Sequence, residues 1–158
     1  MAGYPSLLRL SEVLEVRIME RLNRFVVAVE KDGAQLKAHI NNTGRLEQFM
    51  VHGRPAFCLK NKGTGKTDCR LFAISEKGKG AIIDTQLQMR AFERALERGI
   101  IPWLGEYRRV RRNAPLGNSL IDYLLERSGS QLYLEVKSAV LRDGNWAMYP
   151  DCPTLRGQ

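Results

Sequence analysis

The stretch Ser119-Leu-Ile-Asp122-Tyr-Leu-Leu-Glu-Arg-Ser128-Gly129-Ser130-Gln-Leu132-Tyr-Leu-Glu135-Val136-Lys137-Ser138 decides how the second half of the chain is read. Ile121, Tyr123 and Leu125 alternate with Leu120, Asp122 and Leu124, and Leu132 and Leu134 alternate with Tyr133 and Glu135. A period of two on both sides of Ser128-Gly129-Ser130 predicts a β-hairpin. Glu135 and Lys137 are two residues apart, so on a strand they leave from one face. Antiparallel pairing would bring Asp122 beside them. Charged groups in apolar strands are costly unless they are paired or hold a metal.

Two carboxylates and an ammonium at one spot suit phosphodiester hydrolysis. Asp122 and Glu135 would bind Mg²⁺ or Mn²⁺ through hard oxygens, leaving coordination positions for water and phosphate. Lys137 would orient the water or stabilise the phosphate in the transition state. An aspartate, twelve intervening residues and Glu-x-Lys resemble the PD-(D/E)xK nuclease superfamily, with Asp122, Glu135 and Lys137 in the catalytic positions. The competing reading is a hairpin with an exposed acid and a surface Glu–Lys pair.

Around this hairpin the chain has 158 residues, enough for one ordinary domain or two small ones. Its formal charge of +8 and pI near 9.7 favour a polyanionic partner, DNA first. Residues 1–80 hold 14 Lys and Arg against 8 Asp and Glu, so the first half is expected to supply most of the attraction. Cys58, Cys69 and Cys152 are widely spaced and odd in number, which argues against a disulfide framework or structural zinc. With no signal-peptide pattern and no apolar run near twenty residues, a soluble cytoplasmic protein without membrane partners is expected, and self-association stays open.

In the first half, Val13–Met19, Phe25–Val29 and Leu36–Ile40 predict a three-strand meander, turned by Lys31-Asp32-Gly33-Ala34. Leu46–Met50 suggests one helical turn, and Ala56–Leu59 and Cys69–Ser75 two more strands. Five short strands with a small helical insert predict an OB-like β-barrel over residues 1–80, a fold whose open face commonly holds nucleic acid. Arg21, Arg24, Arg45, Lys60, Lys62 and Lys66 are its candidate DNA-binding cations, and Phe25 is read as core. Gly63-Thr64-Gly65-Lys66-Thr67 is no phosphate-binding loop, because Lys60 stands where the first glycine belongs and no helix follows.

Residues 81–158 predict a helix over Gln86–Arg98, started by Asp84 or Thr85 and stopped by Gly99. Its acids Glu93 and Glu97 are read as surface partners of neighbouring arginines, and also as candidates to join a metal site. Glu106–Arg112 predicts a strand with Arg108, Arg109, Arg111 and Arg112 pointing to both faces, either as phosphate contacts or as a solvated edge. Asn113–Asn118 is expected to turn into the hairpin. A nuclease core needs a further helix and strand, so this second domain is expected to be incomplete at its C-terminus.

Several motifs in order over nearly the whole chain resemble the sugar fermentation stimulation protein family. They are Glu20-Arg-Leu-Asn-Arg-Phe25, His39-Ile-Asn-Asn-Thr-Gly-Arg-Leu46, Asp84-Thr85, Ile101-Pro102, Asp122-Tyr-Leu-Leu125, Glu135-Val-Lys-Ser138 and Pro150-Asp151 with Thr154 and Arg156-Gly157. The resemblance implies an OB-like domain followed by a PD-(D/E)xK-like domain. It also implies nonspecific DNA binding and a regulatory role in sugar (maltose) metabolism. Asp151 is a further acidic position under it, and Leu120 stands where the family usually has an arginine.

Overall fold

The computed structural model describes residues 5–148 except 45, 62 and 64. The expectations for Arg45, Lys62 and Asp151 fall outside the described residues.

Five strands close a barrel. They are β1 (Val13–Arg21), β2 (Val26–Lys31), β3 (Ala34–His39), β4 (Pro55–Lys60) and β5 (Cys69–Glu76). β1 pairs antiparallel with β2 and β4, β2 with β3, and β4 with β5. A short parallel pairing, Ala38↔Cys69 and His39↔Arg70, closes the ring between β3 and β5. The β2–β3 turn uses positive φ at both Asp32 (51°) and Gly33 (82°), the conformation that matches the twist of a two-residue hairpin. A sixth strand, β6 (Lys79–Ile82), adds to the outer edge of β5.

Alternation sends Val16, Ile18, Val27 and Val29 into the barrel, and a β-bulge at Phe72, where the β4–β5 register slips, lets both Leu71 and Ile74 join them. Full burial of each such side chain stabilises by about 1.5–3 kcal/mol. Leu46 and Phe49 join that core from a turn in which Met50 N–H donates to the Leu46 carbonyl at 3.0 Å. Phe25 corrects one expectation. It is 49% exposed, because it lies in the bend before β2, its N–H bonded to Asn23 Oδ1, and the strand that buries Val27 and Val29 begins only at Val26.

Helix α1 (Thr85–Glu97) begins at Asp84, whose Oδ1 accepts from Leu87 N–H at 2.9 Å. The same oxygen accepts from Asn41 Nδ2 at 2.8 Å, and Thr85 N–H donates to Asn41 Oδ1 at 3.1 Å. Arg70 Nε stands 3.0 Å from Asp84 Oδ2 at an angle too poor for a hydrogen bond, so that contact is charge attraction. Gly99 ends the helix at φ +63°, with Gly99 N–H on Leu96 O and Ile100 N–H on Ala95 O.

The remaining strands form a three-stranded antiparallel sheet, β7 (Arg108–Leu116), β8 (Ser119–Arg127) and β9 (Ser130–Leu134), in that order. β7 runs four residues past the expected stop at Arg112. It is an edge strand, where Pro115 costs no ladder bond, so the turn shrinks to Gly117-Asn118. A small hairpin, β10 (Leu141–Asp143) and β11 (Trp146–Met148), follows. Two compact units share the chain: Leu10–Gln88 with the described residues from Ser138, and Met89–Lys137 with the described residues up to Arg9. No described helix is long and apolar enough to cross a membrane.

Candidate functional site

The two faces of the β7–β8–β9 sheet differ in chemistry. Tyr123 and Leu125 of β8 are buried, and the partly buried Leu132 and Leu134 of β9 pack with them against Phe92 and Leu96 of the helix. Asp122 and Leu124 therefore leave from the opposite face, together with Tyr133 and Glu135. β7 carries an irregularity between Arg109 and Arg111. The extra residue, Val110, lets Arg109 (opposite Leu125) and Arg112 (opposite Tyr123) share the helix-side face, although strict alternation would separate them. Arg111, opposite Leu124, belongs to the other face.

On that open face the three residues singled out from the hairpin come together. The β8–β9 register, continued one step past Tyr123↔Leu134, sets Asp122 across from Glu135. Val136 N–H donates to Asp122 Oδ2 at 2.8 Å, and Asp122 N–H donates to Glu135 Oε2 at 3.3 Å. Lys137 Nζ donates to Glu135 Oε1 at 2.8 Å. These side-chain bonds take the place of the backbone ladder. For that reason β9 ends at Leu134, and Glu135 and Lys137 stand just beyond the strand that was expected to carry them. Two acids directly across an antiparallel pair repel each other, and one lysine offsets only part of that.

Asp122 and Glu135 are chemically suited to a hard divalent cation. Asp122 Oδ2 and both Glu135 carboxylate oxygens accept hydrogen bonds, and a carboxylate oxygen has room for more than one partner. Among the described residues no group of three or more His, Cys, Asp or Glu could enclose a metal. A two-carboxylate set matches Mg²⁺, which keeps several waters and takes its other ligands from phosphate.

Glu93 overturns its reading as a surface acid. It is 8% exposed and accepts from Arg112 Nε at 2.6 Å and from Tyr123 Oη at 2.9 Å, with Arg112 gripping its second oxygen as well, and it forms an ion pair with Arg109 at 2.9 Å. Burial pushes the Glu93 carboxyl up, but the Arg112 and Tyr123 bonds and the two arginine charges outweigh it and hold it below the ordinary carboxylate range. Burial, then the bond to Glu93, pushes the Tyr123 phenol up. Glu97 pairs with Arg94 one turn away. The four-arginine run is thus divided: Arg109 and Arg112 hold Glu93, Arg108 reaches the Tyr107 carbonyl at 3.4 Å, and Arg111 has no hydrogen bond or ion pair among the described residues.

The barrel cations separate similarly. Arg21 is half-buried and donates to the carbonyls of Gly44, Arg24, Asn23 and Asn42, so it braces the loop at Asn42–Gly44 against the β1–β2 turn. Burial, then the charge of Arg24, draws its pKa down. Arg24 lies 5.8 Å from the ring centre of exposed Phe25, and Lys60 and Lys66 are exposed. The sequence offered no sign of the bulge at Val110, of the face taken by Arg111, or of the partners that bury Glu93.

A closed five-strand barrel followed by a helix and a three-stranded sheet with two apposed acids defines a two-part class: an OB domain joined to a mostly sheet domain. Residues 19–83 match the model described as the SfsA N-terminal OB domain, and residues 86–158 that of the sugar fermentation stimulation protein RE domain. The chain belongs to the sugar fermentation stimulation protein family. It is 52% identical over 153 residues to the homolog from Archaeoglobus fulgidus, covering 96% of this chain and 65% of that one. To the Pyrococcus furiosus homolog it is 45% identical over 152 residues, covering 96% and 66%. It therefore spans about 65% of the length of these relatives. A solved structure described as Pyrococcus furiosus SfsA in complex with Ca²⁺ matches at TM-score 0.88 and 44% identity, covering 96% of this chain and 65% of that chain.

Proposed function

We propose that the protein binds DNA without sequence preference, and that Asp122, Glu135 and Lys137 form a divalent-cation site of the PD-(D/E)xK kind. The observation that carries this reading is the meeting of two acids and a lysine on an open sheet face, tied by the Val136–Asp122 and Lys137–Glu135 bonds. The overall charge of +8 supports a polyanionic partner. Arg24, Lys60, Lys66, Arg108 and Arg111 are the exposed cations proposed to meet it. The Ca²⁺ complex described for the Pyrococcus furiosus relative supports a hard cation here, since Ca²⁺ and Mg²⁺ both select carboxylate oxygens. Family membership supports a regulatory place in sugar metabolism, and a cytoplasmic location goes with that.

Hydrolysis of a phosphodiester is the second reading, favoured by Lys137. Asp122 and Glu135 would hold Mg²⁺ or Mn²⁺, which supplies charge neutralisation and a more acidic water. Lys137, bonded to Glu135, would place its positive charge beside a phosphate oxygen or an attacking water at the acid pair. Asp122 is held in place by the backbone of Val136, so the acid pair needs little reorganisation.

Gel-shift titration with arbitrary duplexes over a range of salt tests the binding, which should weaken steeply as salt rises. Incubation of labelled DNA with Mg²⁺ or Mn²⁺ tests cleavage, with Glu135→Gln and Lys137→Ala expected to abolish it. No binding at low salt would remove the first reading, and cleavage unaltered in both variants would remove the second.

A further inference from the structure

We propose that the open face of the β7–β8–β9 sheet is a track for single-stranded nucleic acid, with Arg111 holding a phosphate and Tyr133 stacking a base beside the acid pair. This rests on the reading of Asp122 and Glu135 as a nucleic-acid site.

The register places the parts. Arg111 is opposite Leu124, and Leu124 is opposite Tyr133, so the three form one row across the sheet. Asp122 and Glu135 form the next row, two residues along each strand, or roughly 7 Å away. Arg111 is exposed, and its guanidinium has no partner among the described residues, unlike Arg109 and Arg112. An anion approaching two carboxylates needs a cation that those carboxylates have not already taken. Lys137 is bonded to Glu135, so Arg111 is the guanidinium on this face with its planar fork still open to phosphate.

Tyr133 is 36% exposed, with Leu124 as its neighbour in the row. An exposed aromatic ring beside an apolar floor offers a stacking surface for any base. In a duplex the base faces are already covered by their neighbours, whereas a single strand can turn one outward. Charge and aromatic chemistry on one row therefore select an unpaired strand over a duplex. The helix-side face has no such role, because Phe92 and Leu96 of the helix pack on it and Glu93 engages both of its arginines.

The test is fluorescence anisotropy of labelled single-stranded and duplex oligonucleotides without added metal, on the wild type, Arg111→Ala, Tyr133→Ala and Tyr133→Phe. Arg111→Ala should weaken single-strand binding about 5- to 10-fold and reduce the salt slope by about 0.7. Tyr133→Ala should lose about 5-fold or more for the single strand and little for the duplex, and Tyr133→Phe should keep the wild-type affinity. If wild type binds single strands and both alanine variants bind them equally well, the track is overturned while the wider DNA-binding reading survives. If wild type binds no nucleic acid, both fall together. A Tyr133→Ala protein with a lowered melting temperature and unchanged binding would mean that polypeptide covers this face, and that too overturns the track.

Discussion

Val136 donates its backbone N–H to the carboxylate of Asp122, so the last rung of the β8–β9 hairpin runs through a side chain. The Asp122 N–H turns in the same way to the Glu135 carboxylate. Each acid is thereby held by the chain opposite it, and the two cannot swing apart to relieve their repulsion. Holding like charges together is a stability cost that a cation would repay. Without divalent metal, Asp122→Asn should leave the melting temperature unchanged or raise it, by up to about 1 kcal/mol of stability. Scanning calorimetry in chelator checks this, and a large loss of stability would show the pair to be a structural element instead.

Glu93 joins α1 to β7 and β8 through Arg109, Arg112 and Tyr123. Glu93→Ala leaves a buried hydroxyl and two arginines without their acceptor. Both arginines are more than a third exposed, so water recovers part of the loss. The expected cost is about 2 kcal/mol, read from urea denaturation. An unchanged midpoint would remove Glu93 as an anchor.

The same carboxyl gives a pH dependence of known sign. Its folded pKa lies below the ordinary value, so its contribution is present above the unfolded value of about 4.3 and is lost as pH falls through the folded one. Wild type should therefore lose stability on acidification below about pH 5, and Glu93→Gln should lose less over that window. Tyr123 acts at the other end. Its raised pKa means that its contribution is lost as pH climbs past about 10, where the unfolded phenol ionises first. Melting temperatures from pH 3 to 11 on both proteins test the two limbs, and parallel curves in acid would contradict the assignment to Glu93.

Asp84 is fully buried and ties the helix start to Asn41. Asp84→Ala removes a cap and leaves the Asn41 amide and Arg70 unanswered, for an expected loss of about 2–3 kcal/mol. Asp84→Asn keeps an acceptor for Leu87 and should cost less. Equal losses in the two would show that charge, not capping, is what Asp84 supplies.

The barrel was readable because its strands alternate and its turns are signalled, Asp32-Gly33 most clearly. The closing contact was not, because it rests on two residue pairs between β3 and β5 that are distant in sequence. The convergence of Asp122, Glu135 and Lys137 followed from the period of two and a short turn. Their bonding did not, since the backbone ladder gives way to side chains there. Glu93 looked like a surface acid because only tertiary partners offset the cost of its burial, and Phe25 looked like core because its apolar neighbours do not reveal that the strand starts one residue later, at Val26. Val110 shows a third reason: one bulged residue swaps the faces of Arg111 and Arg112 relative to Arg108 and Arg109 without leaving a mark in the sequence.

Isothermal titration of Ca²⁺, Mg²⁺ and Mn²⁺ into wild type, Asp122→Asn and Glu135→Gln tests the cation site most directly. The account predicts saturable binding to wild type, weakened at least tenfold in each variant, with the melting temperature of the metal-free protein preserved. Equal binding in all three proteins, or no heat from any of these ions with wild type, would contradict it.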